Sequence, residues 1–311
     1  MPRVSVIIPA YNAQAFLAET LASVEAQTYR DWEVVVADDG STDGTVEAAE
    51  AFGERFTVLR GASNEGPAAA RNRAVSGSSG ELLAFLDADD LWLPSYLDRM
   101  VQLHDESKTR GVRAGVLTCD ARILGPDGYL AQTYMELMHF PSEVTLARML
   151  VSNPVFVGAL STRGLVDEAG GFCPELFGTE DYDLWLRIVE RGYRIVARRE
   201  ALTVYRLRPA SVSANLARMA RSLQLTYLRA LERDRLTPRQ RRIALRQLRL
   251  QRALEQVGLM KSDRRAGRLP LARLFRALPL FVRVAVENPD RWLTTVRVLA
   301  GRGPPLSQVV K

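Results

Sequence analysis

Cysteine is nearly missing from this chain of 311 residues: Cys119 and Cys173 are the only two. There is no CxxC pair and no dense spacing, so neither a disulfide scaffold nor a thiolate zinc site is expected, and a reduced, cytoplasmic setting fits. Long apolar runs are missing as well. No stretch of about 18 uncharged apolar residues occurs, so no membrane span is expected. The apolar run that follows Met1-Pro2-Arg3 is too short for a signal peptide and has no small-residue cleavage site. Internal repeats and low-complexity tracts are absent, and no Ser/His/Asp or Cys/His arrangement is in view.

What is present is ordinary in bulk and uneven in charge. The length allows one large α/β domain with an appendage, or two domains of roughly 100–200 residues. The apolar content suffices for a sizeable core. Residues 1–214 hold 20 Lys/Arg against 30 Asp/Glu, a net −10, whereas residues 215–311 hold 22 against 6, a net +16. The total of +6 therefore conceals an acidic body and a basic tail, which implies two parts with different partners.

Along the body, short apolar runs alternate with helical spacing. Val4-Ser5-Val6-Ile7-Ile8 reads as a buried strand stopped by Pro9. Residues 14–26 follow as a helix with Phe16, Leu17, Leu21 and Val24 on one face, and residues 32–37 as a second strand. Residues 45–52 predict a helix and 57–59 a short strand. Residues 66–75 predict a helix opening on a Gly-Pro pair, and residues 82–86 a long strand. Helices are expected at 96–108, 165–169 and 181–192, and a strand within 194–204. This alternation predicts a mostly parallel sheet with helices on its faces, and in such sheets ligands bind beyond the carboxyl ends of the strands. From about residue 216 the pattern becomes Arg- and Leu-rich helix, as in 239–257, with breaks at Pro238, Gly258, Pro270 and Pro279. The division expected is 1–214 and 215–311.

Polar motifs gather at the predicted strand ends. Asp87, Asp89 and Asp90 crowd one of them; carboxylates this close repel unless a cation sits among them, and Mg²⁺ or Mn²⁺ favours oxygen ligands completed by phosphate and water. Asp90 also has the chemistry of a cap for the turn at Leu91-Trp92. In Asp38-Asp39-Gly40-Ser41-Thr42-Asp43, Asp43 suits a helix cap, while Asp39 can either accept an N–H from a nucleobase edge or serve the turn. Asn64-Glu65-Gly66-Pro67 leads to Arg71 one turn into a helix; the helix start attracts anions and a guanidinium can hold phosphate bidentately, although a solvated surface arginine fits the same pattern. Gly178-Thr179-Glu180-Asp181-Tyr182-Asp183 places acids at a helix start, either as dipole compensation or with one of them as a general base.

Taken in order, these segments resemble glycosyltransferase family 2, whose members have the GT-A fold. The resemblance is carried by Val4 through Pro9-Ala10-Tyr11-Asn12, by Ala37-Asp38-Asp39-Gly40-Ser41, by Asn64 through Arg71-Asn72, and by Phe85-Leu86-Asp87-Ala88-Asp89-Asp90 through Pro94. Thr179-Glu180-Asp181 with Trp185 and Arg187 follows at the spacing the family shows. The resemblance covers roughly residues 3–214. It implies that Pro9, Ala10, Tyr11 and Asn12 line a nucleobase pocket and that Asp39 binds the base edge. Asn64, Gly66 and Arg71 would lie near the ribose or diphosphate, Asp87 and Ala88 on the ribose side, and Asp89, with Asp87, at the metal. Asp181 would be the catalytic base, with Glu180 and Trp185 on the acceptor side. The implied reaction is inverting transfer of one sugar from a nucleotide-diphosphate sugar, with uridine diphosphate favoured, to a carbohydrate or lipid-linked hydroxyl. Such activity belongs to cell-surface polysaccharide or glycolipid synthesis of bacterial type.

Two departures from the family pattern stand out. Where members often carry a His able to reach the metal or diphosphate, this chain has Arg208 in Tyr205-Arg206-Leu207-Arg208. Arg cannot ligate a cation but can pair with phosphate. The Gln-x-x-Arg-Trp signature of processive synthases is missing, which favours single-sugar transfer. In the basic tail, 269–280 and 292–299 read as amphipathic surface helices, suited to an anionic membrane at the inner face of the plasma membrane or to a packing or homodimer contact. Nucleic acid has charge in its favour but no recognition motif. Two other classes compete with the transferase. A sugar-phosphate nucleotidyltransferase would need a Gly-rich N-terminal loop where Pro9-Ala10-Tyr11-Asn12 stands, and a non-catalytic carbohydrate- or membrane-binding adaptor would not need Asp39, Asp89 and Asp181 together.

Overall fold

A computed structural model describes residues 1–155, 158–208, 215–266 and 271–287. The candidate helix at 292–299 lies outside the described residues, as do residues 269 and 270 of the segment 269–280. In chain order the elements are β1 (Val4–Ala10), α1 (Leu17–Glu25), β2 (Trp32–Asp38), α2 (Thr45–Glu50), β3 (Phe56–Arg60), α3 (Pro67–Ser76), β4 (Leu82–Phe85), β5 (Leu91–Trp92) and α4 (Tyr96–Thr109). Then come β6 (Ala114–Gly125), β7 (Gly128–Tyr129), α5 (Tyr134–Leu137), α6 (Leu146–Met149), β8 (Ala159–Thr162), α7 (Arg163–Ala169), α8 (Glu180–Glu190) and β9 (Arg194–Arg206). Three longer helices close the described chain: α9 (Leu216–Glu232), α10 (Pro238–Arg265) and α11 (Leu271–Glu287).

The sheet runs β3-β2-β1-β4-β8-β6-β9-β5, with β7 paired to β6. β3, β2, β1 and β4 are mutually parallel, and β6 pairs β9 in parallel over a long register; β8 joins the two groups through antiparallel pairs with β4 and β6. Parallel strands are covered on both faces, so their sequences are continuous apolar runs, not alternations; β1 and β2 are buried at all but one position each. The carboxyl ends of β1, β2 and β4 lie side by side, because Ala10 is paired with Asp38 and Ile7 with Phe85. The mostly parallel α/β architecture expected from the alternation is therefore present.

Pro9 does not stop β1, which continues through Pro9↔Ala37 to Ala10. The β4 ladder ends at Ile7↔Phe85, so Pro9 lies beyond the rung that its missing N–H would have supplied.

The chain divides into two compact units. Of the described residues, one comprises those within Met1–Leu146, Asn153–Glu175 and Glu180–Arg208; the other contains Ala147–Ser152, Leu176–Thr179 and those from Asn215 onward. In the second unit, Leu216 and Ala220 of α9 share an apolar core with Leu250 and Leu254 of α10 and with Phe281 and Val284 of α11. Gly258 does not break α10. A Cβ there would stand 2.6 Å from the Ala217 backbone nitrogen, so the glycine is where two helices touch. Pro279 lies inside α11 without ending it, at an exposed position. Among the described residues no helix is long and apolar enough to cross a membrane.

Candidate active site

The loops after β1 and β2 are laced together. The Asn12 carboxamide oxygen accepts from the Thr42 backbone at 2.9 Å, and the Asn12 N–H donates to Ser41 Oγ at 2.9 Å. The Ala13 N–H donates to Thr45 Oγ1 at 2.8 Å, and Gln14 Oε1 accepts from Gly44 N–H at 2.9 Å. Asn12 adopts a φ of 46°, a left-handed conformation that Asn tolerates better than most residues. Tyr11, beside it, is 47% exposed. Asp43 serves the start of α2 by accepting from Thr45 N–H at 3.1 Å.

Asp39 follows β2 and is buried. Its carboxylate accepts the Gly66 N–H at 2.7 Å and the Glu65 N–H at 3.2 Å, and Arg73 approaches to 3.7 Å. Arg73 also donates to the Asp38 carbonyl at 2.7 Å. Asp39 thereby fixes the loop that carries Asn64, which is itself exposed. Gly66 allows this with φ 97° and ψ 164°, a region almost closed to other residues. Nothing in the motif Asn64 to Asn72 set Arg73 apart from Arg71; its placement two residues further along α3 turns it toward Asp38 and Asp39.

The acid loop after β4 is anchored from α1. Buried Thr20 donates its hydroxyl to the Ala88 carbonyl at 3.0 Å and is 2.9 Å from the Asp90 carbonyl. Asp87, Asp89 and Asp90 each place a carboxylate oxygen within 4.8 Å of the others. Asp90 is no cap, because Leu91-Trp92 is strand and not helix. Its Oδ1 accepts the Arg206 N–H at 2.9 Å, and its Oδ2 is buried without a partner among the described residues. Burial, then the charges of Asp87 and Asp89, push the Asp90 carboxyl well above its ordinary range. Burial and Asp87 also raise Asp89, against the pull of Arg208. The Arg208 Nε lies 2.5 Å from Asp89 Oδ2. An all-oxygen cluster with one unpartnered buried oxygen suits a hard divalent cation such as Mg²⁺ or Mn²⁺.

Arg71 joins this loop to the start of α8. One amino group lies 2.6 Å from Asp87 Oδ1, and the other contacts Glu180. Burial opposes the Arg71 charge, but Asp87, Glu180 and Asp181 outweigh it and hold the guanidinium protonated. Beneath it lies the Phe172 ring at 5.6 Å, whose backbone is gripped by the Asn72 carboxamide at 2.7 and 2.8 Å. Asp181 is partly exposed and accepts the Tyr182 N–H at 2.6 Å. Burial first, and the neighbouring Glu180 charge second, push its carboxyl up to about 7, with Arg71 acting in the opposite direction.

Three of the expected site residues are turned into the protein. Arg71 is 4% exposed, with both amino groups on carboxylates, so it ties Asp87 to Glu180. Glu180 is buried and turns inward to Arg71. Trp185 follows Asp181 by one helical turn, yet it is fully buried, with its ring centroid 5.8 Å from that of Phe85. Pro9, Ala10, Tyr11, Asn12, Asp39, Gly66, Asp87, Ala88, Asp89 and Arg208 lie at strand ends or in the loops that follow them, with Ala88 presenting a carbonyl already taken by Thr20, while Asp181 lies in the first turn of α8.

Laced loops at the ends of parallel strands, an acid cluster beside them and a separate carboxyl of raised pKa are the arrangement of a nucleotide-sugar transferase of the GT-A type. Residues 5–125 match the family described as glycosyl transferase family 2. Over 236 residues the chain is 30% identical to the putative teichuronic acid biosynthesis glycosyltransferase TuaG of Bacillus subtilis (strain 168), which covers 75% of this chain and 89% of that protein. It is also 27% identical over 218 residues to the Escherichia coli UDP-Glc:alpha-D-GlcNAc-diphosphoundecaprenol beta-1,3-glucosyltransferase WfaP, covering 69% of this chain and 81% of that one. Among solved structures, the mannosyltransferase PcManGT of Pyrobaculum calidifontis in complex with GDP-Man and Mn²⁺ superposes with a TM-score of 0.63 at 25% identity, over 96% of this chain and 84% of that chain. The chain belongs to glycosyltransferase family 2, and it is a nucleotide-sugar glycosyltransferase.

Proposed function

We propose that this enzyme transfers one sugar from a uridine-diphosphate sugar to a hydroxyl of a carbohydrate or lipid-linked acceptor, with inversion and with a divalent cation held at Asp89 and Asp87. The observation that carries the chemistry is Asp181, a carboxyl pushed up to about 7 at the start of α8 and within the electrostatic reach of Asp87. A general base works best when its pKa lies near the operating pH. Asp181 takes the proton of the acceptor hydroxyl as that oxygen forms its bond to the anomeric carbon. The bond from this carbon to the diphosphate oxygen breaks, and its electron pair leaves with the nucleoside diphosphate. When bound, the cation supplies positive charge opposite the leaving diphosphate. The Asp39 carboxylate, which accepts two backbone N–H groups, retains acceptor capacity for a base-edge N–H. A UDP-sugar donor and a diphosphoundecaprenol acceptor in WfaP support the donor and acceptor classes; GDP-Man and Mn²⁺ in PcManGT support the metal and make guanine the competing base.

The test is a melting-temperature panel with UDP, GDP, CDP and ADP, each with and without Mn²⁺. UDP with Mn²⁺ is expected to stabilise the protein most. Stabilisation by none of the four, metal present, overturns the reading; a larger shift with GDP overturns the choice of base alone.

The basic second unit is proposed to meet an anionic lipid surface. α11 exposes Leu278, Val282 and Val286 at four-residue intervals with exposed Arg283 beside them, an amphipathic combination suited to an interface. Co-sedimentation with vesicles rich in anionic lipid, and not with neutral ones, is the expected result. Sedimentation with neither, together with a concentration-dependent dimer mass, would assign the stripe to a second copy instead.

A further inference from the structure

Arg206 and Arg208 stand two residues apart, and both lay their guanidinium against the Phe16 ring, at 5.1 and 5.0 Å. Their other contacts differ in kind. Arg206 is tied into the scaffold: its N–H goes to Asp90, its Nε to the Asp89 carbonyl at 2.9 Å, and its amino group to Glu19 at 2.8 Å. Arg208 is held by the Asp89 carboxylate at 2.5 Å, and its side chain is 36% exposed. The contact is close but poorly aligned as a hydrogen bond, since the Arg208 Nε has no hydrogen-bond partner among the described residues.

Asp89 is the carboxylate that the proposed metal needs. Three carboxylates within 4.8 Å of one another require positive charge among them; in the protein without donor Arg71 supplies it at Asp87 and Arg208 at Asp89. A guanidinium cannot ligate a cation, and two positive charges on one oxygen repel. Arg208 and a metal ion therefore exclude each other at Asp89 Oδ2. A diphosphate offers the displaced guanidinium a second anionic partner that it can hold with two parallel hydrogen bonds.

We infer that Arg208 is an exchangeable counter-ion, seated on Asp89 before the donor arrives and on the donor's diphosphate afterwards, and that this exchange makes metal and nucleotide bind cooperatively. The inference rests on the nucleotide-diphosphate and metal reading above. Metal alone has to displace Arg208 with nowhere favourable to send it, so it binds weakly. Nucleotide draws Arg208 away and clears Asp89, while metal frees Arg208 for the phosphates. By linkage, each ligand raises the affinity of the other by the same factor.

The experiment is titration of Mn²⁺, followed by the electron-spin resonance of the free ion, with and without UDP. It compares wild type, Arg208→Gln and Arg208→Lys, each first shown to melt like wild type without ligand. In the wild type UDP is expected to tighten Mn²⁺ by about tenfold or more, a common size for such coupling. In Arg208→Gln, Mn²⁺ alone binds more tightly than in wild type, UDP with Mn²⁺ binds more weakly, and the mutual tightening largely disappears. Arg208→Lys, which keeps the charge but not the fork, falls between the two. If Arg208→Gln leaves both the Mn²⁺ affinity and its response to UDP unchanged, the exchange is wrong while the nucleotide reading stands. If no nucleotide diphosphate binds the wild type with metal present, the nucleotide reading fails and takes the exchange with it.

Discussion

Arg71 and Asp87 form an ion pair of 2.6 Å in which the arginine is buried and the aspartate only partly so. The same guanidinium holds Glu180, so one side chain of α3 ties the acid loop after β4 to the residue preceding Asp181. A buried charge whose partner is removed costs about 3–5 kcal/mol. Arg71→Met is expected to lower stability by about that amount, read as the denaturation midpoint at constant slope. Adding Glu180→Gln to it should recover part of the loss, because the orphaned charge disappears. A single Arg71→Met variant as stable as wild type would show that the brace does not bear on the fold.

The raised carboxyl of Asp181 carries two pH dependences of opposite sign. As a base it must be deprotonated, and kcat/KM reports the free enzyme. The expected profile of kcat/KM rises with pH and levels off above about 7. Asp181→Asn should cut transfer by about 10²–10⁴-fold while UDP still raises the melting temperature. For stability the sign reverses. Between the unfolded carboxylate value and about 7 the folded chain binds the extra proton, so this group's contribution falls as pH rises through that window. The difference in stability between wild type and Asp181→Asn should therefore slope with pH below about 7 and flatten above it. Activity near wild-type level in Asp181→Asn removes the base assignment.

The strands were legible in the sequence because parallel strands buried on both faces have to be apolar throughout, as Val34 to Ala37 are. Their order was not, because β8 and β9 find their neighbours through contacts far apart in the chain. Local rules also misplaced breaks: Gly258 and Pro279 punctuate isolated helices, but here Gly258 sits at a contact between helices and α11 continues through Pro279. Within the site, Asp39, Asp89 and Asp181 could be picked out as acids at strand or helix ends. The direction of Arg71 and Glu180 could not. A charged residue at a helix start looks the same in sequence whether it faces a ligand or another charge, and only the partner's position decides.

Gly66 donates to Asp39, on the side proposed for the nucleotide, from a backbone conformation of φ 97° and ψ 164°. A Cβ in that region costs about 1–3 kcal/mol. Gly66→Ala should lose stability in that range, and the melting shift produced by UDP with Mn²⁺ should shrink, because the Asp39 carboxylate loses its fixed orientation. Gly53→Ala is the control: a Cβ there meets nothing within 4 Å, so neither quantity should change. An undiminished UDP shift in folded Gly66→Ala would separate Asp39 from nucleotide binding.

Trp185 offers the sharpest separation of packing from recognition. Its indole is fully buried against Phe85, although its place one turn beyond Asp181 invites a role at the acceptor. Replacing a buried aromatic by alanine removes its transfer free energy and leaves a cavity, costing about 3–5 kcal/mol. Trp185→Ala is expected to fall in that range, and Trp185→Phe to lose less, since a smaller ring still fills part of the space. The decisive measurement is the acceptor KM of Trp185→Phe at a temperature where it is folded. A packing residue leaves that KM at the wild-type value, because the ring surface never meets the acceptor. A raised acceptor KM with kcat and donor KM unchanged would return Trp185 to the acceptor side and require the start of α8 to open during turnover.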